Sequence, residues 1–410
     1  MKILMLSTFP AAEPRTGGQH RVHNIGEYYK SLGHEVFSAG VMDESPQARP
    51  QGFVAYPKKA DLLKIYENSF LIEDCAIGEL FATSDKYFAD LKSVIPFTPD
   101  LIHIEHPYLF EFARRYAKSV QGRPPFLLYG SANIEHQLKF TLLSNFPSKT
   151  HAVTARDLAM ACEVNALRLA DGYCCVSEHD LAWAAQFGGG NAVLAPNGVK
   201  ARALTVAGID KANEITRHQK FALYCASSHL PNINGFFDIF SAGIGSIAPD
   251  EFLVIAGAAG SYIASDPRGA RVSGLPSRTI FAGEVDEECL QGLLNLAHVI
   301  ILPVTSGAGT NLKTAEALWA QKHIVATHNA MHGFEAFSAE PGISIQDEPA
   351  LFQRSLTHAM SVAQVTLTPA QTKSRETVLW TSTLAPLNQL LALRQSRLSQ
   401  PLNHAVASIR

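Results

Sequence analysis

The sequence lacks most of the features that would place it in a specialised class. Cysteine occurs six times, at Cys75, Cys162, Cys174, Cys175, Cys225 and Cys289, and never as C-x-x-C. That pattern fits reduced, buried thiols in a cytosolic protein rather than a zinc or dithiol-redox site. Neither sign of charge dominates: 34 Lys and Arg against 37 Asp and Glu leave a net charge of −3. Nothing in that balance points to a nucleic-acid partner. No apolar run approaches the ~20 residues of a membrane span, so any membrane association is expected to be peripheral. The N-terminal run Met1–Ser7 is too brief for a signal-peptide core and reads as a first strand. No G-x-G-x-x-G follows that strand, so the nicotinamide-type fingerprint is missing where it belongs.

What is present is an α/β rhythm. The 410 residues suffice for two core-forming domains of ~150 residues each. Strands are expected at Lys2–Ser7, Glu35–Ala39, Leu101–Ile104, Phe126–Tyr129 and Gly172–Val176. A second series follows at Phe221–Cys225, Phe252–Ala256, Thr279–Ala282, His298–Pro303 and His323–Thr327. Helical patterns intervene at Val22–Leu32, Thr154–Leu169, Asn234–Gly243, Glu287–Leu296 and Leu312–Ala320. Such alternation predicts parallel sheets covered on both faces. The turn signal Pro196-Asn197-Gly198 marks the break. Residues 1–196 form one expected domain, 197–373 a second, and 374–410 a tail whose helical pattern covers Ser374–Leu393 and which frays from Arg394. Lys58–Phe97 falls outside both rhythms and reads as two inserted helices, packed into the core or covering an acceptor site.

Chemistry-bearing residues gather at expected strand ends, where open α/β sheets place their ligands. Ser306-Gly307-Ala308-Gly309-Thr310-Asn311-Leu312-Lys313 joins an apolar strand to a helix. Backbone N–H groups and the helix dipole there favour an anion. Lys313 and Glu316, three apart, share a helix face and offer a cation for phosphate and a carboxylate for hydroxyls. Pro231-Asn232-Ile233-Asn234-Gly235, Gly257-Ala258-Ala259-Gly260 and Gly283-Glu284-Val285 occupy equivalent loops. Four loops on one edge make a nucleotide crevice. In the first half, Gly17-Gly18-Gln19-His20-Arg21 precedes a helix, Glu105 and His106 end one strand, and Asn133, Glu135 and His136 follow the next. His328 and His332, four apart, have metal spacing without an evident third ligand.

The order of these motifs resembles the GT-B glycosyltransferases, in particular the retaining family 4, along nearly the whole chain. Gly17-Gly18 with Leu32-Gly33-His34-Glu35-Val36 is similar to the family's opening, and Cys175-Val176-Ser177-Glu178 with Ala195–Val199 to the end of its first domain. The most specific match is Gly309-Thr310-Asn311-Leu312-Lys313-Thr314-Ala315-Glu316-Ala317. The resemblance implies two Rossmann-like domains facing across a cleft, with a C-terminal helix crossing back to the first. It implies sugar transfer from a nucleotide-diphosphate sugar to an acceptor hydroxyl, with retention, in polysaccharide or glycoconjugate synthesis in the cytoplasm or at the inner membrane face. The acceptor is a glycan, a lipid-linked glycan or a small molecule.

By the same resemblance, Lys313 and the backbone of Gly309, Thr310, Asn311 and Leu312 hold the diphosphate and Glu316 the ribose. Gly17 and Gly18 close over the diphosphate, and His229, Asn232, Gly283, Glu284 and Val285 complete the donor site. His106 lies near the transferred sugar; read from their places in the first half rather than from the resemblance, His20, Glu105, Asn133 and Glu135 are candidates for binding the acceptor or the sugar. No metal or other cofactor is expected, because no Asp-x-Asp stands in a matching loop. Two positions depart from the family. Ala308 replaces the first of two glutamates eight apart, and Ser227-Ser228-His229 replaces a basic phosphate-binding residue. A sugar-nucleotide 2-epimerase and a non-catalytic nucleotide-sugar-binding partner of another transferase remain alternatives.

Overall fold

A computed structural model of the chain describes residues 1–43, 49–65, 69–144, 149–307 and 310–399. The chain forms two compact units: Met1–Pro196 joined by the chain from Leu384 onward, and Asn197–Thr383.

The first unit is built on seven strands: β1 (Lys2–Ser7), β2 (Glu35–Met42), β3 (Phe53–Ala55), β4 (Leu101–Glu105), β5 (Phe126–Ser131), β6 (Gly172–Cys175) and β7 (Ala192–Leu194). They run in the order β3-β2-β1-β4-β5-β6-β7, and every pairing is parallel. Residues Leu101–Glu105 and Phe126–Ser131 are buried throughout, as a sheet covered on both faces requires. β1 lies between β2 and β4, so the strand order reverses there. That reversal opens a crevice beyond the carboxyl ends of the strands.

The second unit repeats the plan with β8 (Phe221–Cys225), β9 (Phe252–Ala256), β10 (Thr279–Gly283), β11 (Val299–Leu302), β12 (His323–Ala326) and β13 (Ile343–Ile345). Their order is β10-β9-β8-β11-β12-β13, all parallel, with the reversal between β8 and β11. Alternate side chains feed two cores. Leu223, Val254 and Ile300 pack on one face, and Ala222, Tyr224, Ile255 and Ile301 on the other.

The ten strands expected from the sequence are all present. The three that were missed, β3, β7 and β13, are three-residue strands at sheet edges. The Lys58–Phe97 insertion holds three helices rather than two: Lys59–Ile65, Ser69–Thr83 and Asp85–Ser93, the last two separated at Ser84. The expected tail helix Ser374–Leu393 is also broken, into Pro369–Arg375, Glu376–Val378, Trp380–Thr383 and Leu387–Ser399. Within the second unit, Leu379 bridges Val199 in parallel, and Trp380 N–H donates to the Val199 carbonyl at 3.0 Å. Within the first, Arg397 pairs with Asp171 at 2.6 Å and the helix continues past Arg394 to Ser399; the rest of the end expected to fray, 400–410, lies outside the described residues.

Candidate active site

The donor-side candidates lie in the second unit. Helix Leu312–Trp319 follows β11, and Asn311 caps it with its backbone alone, making no side-chain cap bond. The first-turn N–H groups therefore lack a side-chain acceptor from the cap residue and suit an anion. Lys313 Nζ donates to Asn232 Oδ1 at 2.9 Å. Asn232 is itself fixed: its amide donates to the Ser227 carbonyl at 3.0 Å, and its carbonyl accepts from Tyr224 OH at 2.8 Å. Burial pushes the Lys313 ammonium below its ordinary pKa, against the opposing charge of Glu316. Burial raises the Glu316 carboxyl, against Lys313 and Arg202. The Glu316 side chain makes no hydrogen bond or salt bridge among the described residues, so its carboxylate is available to an incoming hydroxyl.

The neighbouring loops are set by backbone constraints. Gly283 ends β10 at φ +67° and accepts Gly257 N–H at 2.6 Å. Gly257 has φ +99°, and a Cβ there would meet the Ala226 carbonyl oxygen at 2.3 Å, so that loop requires glycine. Glu284 is exposed, while Val285 packs against the core. Thr310 is buried; its carbonyl accepts from Asn197 Nδ2 at 3.2 Å, and its hydroxyl has no partner among the described residues. Partial burial and the Lys313 ammonium lower the His229 pKa, which disfavours its cationic form. Ala308 and Gly309 lie outside the described residues. His328 and His332 stand on a turn rather than a helix, and pair separately with Asp347 (2.8 Å) and Glu335 (3.6 Å).

The first unit holds the other candidates beyond β1, β4 and β5. Gly17 and Gly18 are the first turn of helix Gly17–Ser31 rather than a loop before it, because Thr16 and Gln19 form a capping box. A Cβ on Gly18 would stand 3.3 Å from Phe9 Cζ and 4.0 Å from His106 Nε2. His20 lies on the same helix, half-buried. His106 has φ +65° and places Nδ1 3.0 Å from Glu135 Oε1. Glu135 also accepts from Asn133 Nδ2 at 3.1 Å and from Tyr108 OH at 2.8 Å. Burial would raise the Glu135 carboxyl, but His106, the Asn133 amide and the Lys139 charge hold it down at about 2. Burial would lower His106, but Glu135 outweighs it and raises the imidazole. His106 Nε2 makes no hydrogen bond among the described residues. The arrangement is a histidine oriented through Nδ1 by a carboxylate, with Nε2 left for a ligand.

Glu105 is differently placed. It is 2% exposed, 3.3 Å from Arg21 Nε and 3.1 Å from His103 Nε2. Burial opposes its charge, but Arg21 and His103 bring its pKa down to about 2. His103 continues the chain to Tyr29 OH at 2.8 Å. This network lies in the core beneath the crevice, and Glu105 shapes the site through packing. Ligand atoms of His103, Glu105 and Cys174 lie within 4.8 Å of one another. Arg21 reaches Cys174 Sγ at 3.7 Å, and burial holds that thiol protonated with its pKa at about 12, so the cluster does not fit a metal.

Two residues were missed by sequence reasoning. Tyr108 stands two positions after His106, a proximity that could have suggested it. Glu163, fully buried on helix Lys149–Leu169, had no local signal. Its carboxylate accepts the backbone N–H groups of Glu135 (2.7 Å) and His136 (3.0 Å), and lies 2.7 Å from His136 Nδ1. It thereby fixes the start of helix Glu135–Leu143 and the position of Glu135.

No protein-family model matches the chain, and no curated protein matches it. Solved structures do, along almost its full length. A sucrose-phosphate synthase from Thermosynechococcus elongatus is 16% identical with a TM-score of 0.63, covering 97% of this chain and 100% of that one. An α,α-trehalose-phosphate synthase (UDP-forming) from Burkholderia xenovorans, in complex with glucose-6-phosphate, is 13% identical with a TM-score of 0.61, covering 96% and 100%. WaaG, a glycosyltransferase involved in lipopolysaccharide biosynthesis, is 13% identical with a TM-score of 0.59, covering 97% and 98%. At these identities the likeness is one of fold, and the fold is that of the GT-B glycosyltransferases.

Proposed function

We propose that this chain is a glycosyltransferase that moves a sugar from a nucleoside-diphosphate sugar to an acceptor hydroxyl. The observation that carries the proposal is the placement of Lys313 and Glu316 on one face at the start of helix Leu312–Trp319, beside the strand reversal. The hard step is departure of the nucleoside diphosphate from the anomeric carbon. Negative charge grows on the leaving phosphate, so fixed cations and dipoles aimed at it stabilise the transition state more than the ground state. Lys313, held by Asn232, supplies the cation, and the helix N-terminus supplies the dipoles. Glu316 accepts hydrogen bonds from the ribose diol. His106, oriented by Glu135, addresses the sugar or acceptor hydroxyl through Nε2. Asn133 supports Glu135 directly, and Gly17 and Gly18 supply bare backbone at a helix N-terminus.

The reading extends to retention of anomeric configuration, to chemistry without a divalent metal, and to a cytoplasmic protein. Among the described residues no helix is long and apolar enough to cross a membrane. Sugar phosphates are the first acceptors to try, given the glucose-6-phosphate bound by the Burkholderia protein; a lipid-linked glycan is the second, given the role of WaaG. A thermal-shift screen against nucleotide sugars tests the donor assignment without knowledge of the acceptor. Stabilisation by at least one nucleoside diphosphate sugar, lost in Lys313→Ala, is the expected result, and an unmoved transition across the panel counts against it.

The His106–Glu135 pair also favours a second reading, a sugar-nucleotide 2-epimerase, which needs a histidine and carboxylates around the sugar. Incubation of donor without acceptor separates the two: isomerised donor identifies an epimerase.

A further inference from the structure

The first unit contains a cavity of about 640 Å³ that adjoins the His106–Glu135 pair only through Pro107 and Tyr108. Helices Ser69–Thr83, Phe110–Ser119 and Lys149–Leu169 form its walls. Its size falls within the range of ~300–1,000 Å³ typical of small-molecule sites. Small side chains keep it open: Cys75, Ala82, Ala161 and Cys162 line it beside Leu158. The walls cannot simply slide together, because a Cβ on Gly78 would already meet the Tyr108 carbonyl oxygen at 2.1 Å.

Charge at the lining is unevenly satisfied: it carries the carboxylates of Glu79 and Glu111 and the cations of Arg114, Arg115 and Lys118, and Glu79 is engaged with a neighbouring group. Glu111 accepts both Arg114 (2.8 and 3.0 Å) and Asn165, so its charge is neutralised in place. Arg115 pairs with Asp85. Lys118 is exposed on the same lining and has no hydrogen bond or ion pair among the described residues. An apolar slot with an uncompensated cation at its edge is complementary to an apolar chain with one anionic head.

We propose that this cavity binds an anionic amphiphile of the fatty-carboxylate class, its chain against Leu158, Ala161 and Cys162 and its head at Lys118. The site is separate from the sugar-transfer chemistry, though one wall is Tyr108, whose hydroxyl holds Glu135.

Cys162 provides a reporter independent of activity. It lines the cavity, and a hydrogen bond from Cys75 lowers its pKa against the effect of burial. The full chain is treated with a maleimide in the presence of oleate or of oleyl alcohol, and labelling of Cys162 is followed by peptide mass spectrometry. Oleate is expected to slow labelling about tenfold more than the alcohol, the ratio that one favourable charge contact supports. Lys118→Glu, a surface change, should remove that preference. Ala161→Trp, at an exposed helix position that borders the cavity, should abolish protection by either compound. Equal protection by oleate and oleyl alcohol overturns the anionic assignment. Labelling that neither compound slows overturns the site.

Discussion

His106 Nδ1 lies 3.0 Å from Glu135 Oε1, and each group shifts the other's titration in the direction of an ion pair. The two shifts report one interaction and count once. Glu135 is depressed from 4.5 to about 2, so its contribution to stability is present above about pH 4.5 and is lost as pH falls toward 2. His106 is raised above 6.5, so its contribution is complete below 6.5 and is lost as pH rises through the raised value. Stability from the pair should therefore be greatest between about pH 4.5 and 6.5. Urea titrations across pH should show the native chain losing stability on both sides of that window, and Glu135→Gln losing this dependence. NMR titration should place the His106 pKa lower in Glu135→Gln than in the native chain, since burial is then opposed only by the charges of Glu105 and Asp74. An unchanged His106 pKa in that variant would show that Glu135 is not the cause.

Lys313→Ala should reduce kcat by ~10²–10³, the loss seen when one transition-state donor is removed. The folded second unit should survive, because Lys313 is only half-buried and Asn232 keeps its bonds to Ser227 and Tyr224. Near-normal transfer by this variant refutes the phosphate role.

Glu316→Ala should weaken nucleotide binding by ~10–100-fold in calorimetry, as expected for loss of hydrogen bonds to a charged group. A 2′,3′-dideoxy nucleotide should bind both proteins alike. Burial raises the Glu316 carboxyl, so native affinity should fall as pH is lowered through that raised value. Unchanged affinity in the alanine variant removes the ribose assignment.

Glu163→Ala leaves the N–H groups of Glu135 and His136 without their acceptor inside the protein. A loss of about 3 kcal/mol in unfolding free energy is expected, with a smaller loss for Glu163→Gln, which retains one acceptor oxygen. If Glu163 serves only global stability, His106 in Glu163→Gln will titrate as in the native chain; if it positions Glu135, the His106 pKa will move.

Gly130→Ala is expected to destabilise the first unit by ~1–3 kcal/mol or more through overpacking. The added Cβ would stand 2.4 Å from Glu105 Oε1 and 2.7 Å from His103 Nε2. Pairing it with Glu105→Ala should recover part of the loss, which a double-mutant cycle measures.

Much of this architecture was legible because buried parallel strands are apolar on both faces. Val299–Leu302 and Phe252–Ala256 announce themselves as runs, and glycine or asparagine marks the loops that follow. The three-residue edge strands did not, since so short a segment has no period to read. The expected tail helix broke at Leu379, whose extended backbone bridges Val199, and again before Pro386, local effects that periodicity over a long window averages away. At the candidate site, His106, Asn133 and Glu135 were singled out by their place at strand ends, and the structure brings their side chains together. Glu105 had the same signal but turns into the core, because Gly130 opposite leaves room for it there. Strand position alone does not say which way an end residue faces. Glu163 was invisible because its partner lies 28 residues earlier, on another helix.

The left-handed backbone of His106 has a consequence for how such a site persists. Histidine tolerates φ +65° better than most residues but less well than glycine. A glycine there would relax the main chain while removing the imidazole, so foldedness and chemistry rank the candidate residues differently at this one position. Selection for a sturdier protein and selection for a working one therefore pull apart at residue 106, and the identity of its side chain records which of the two has prevailed.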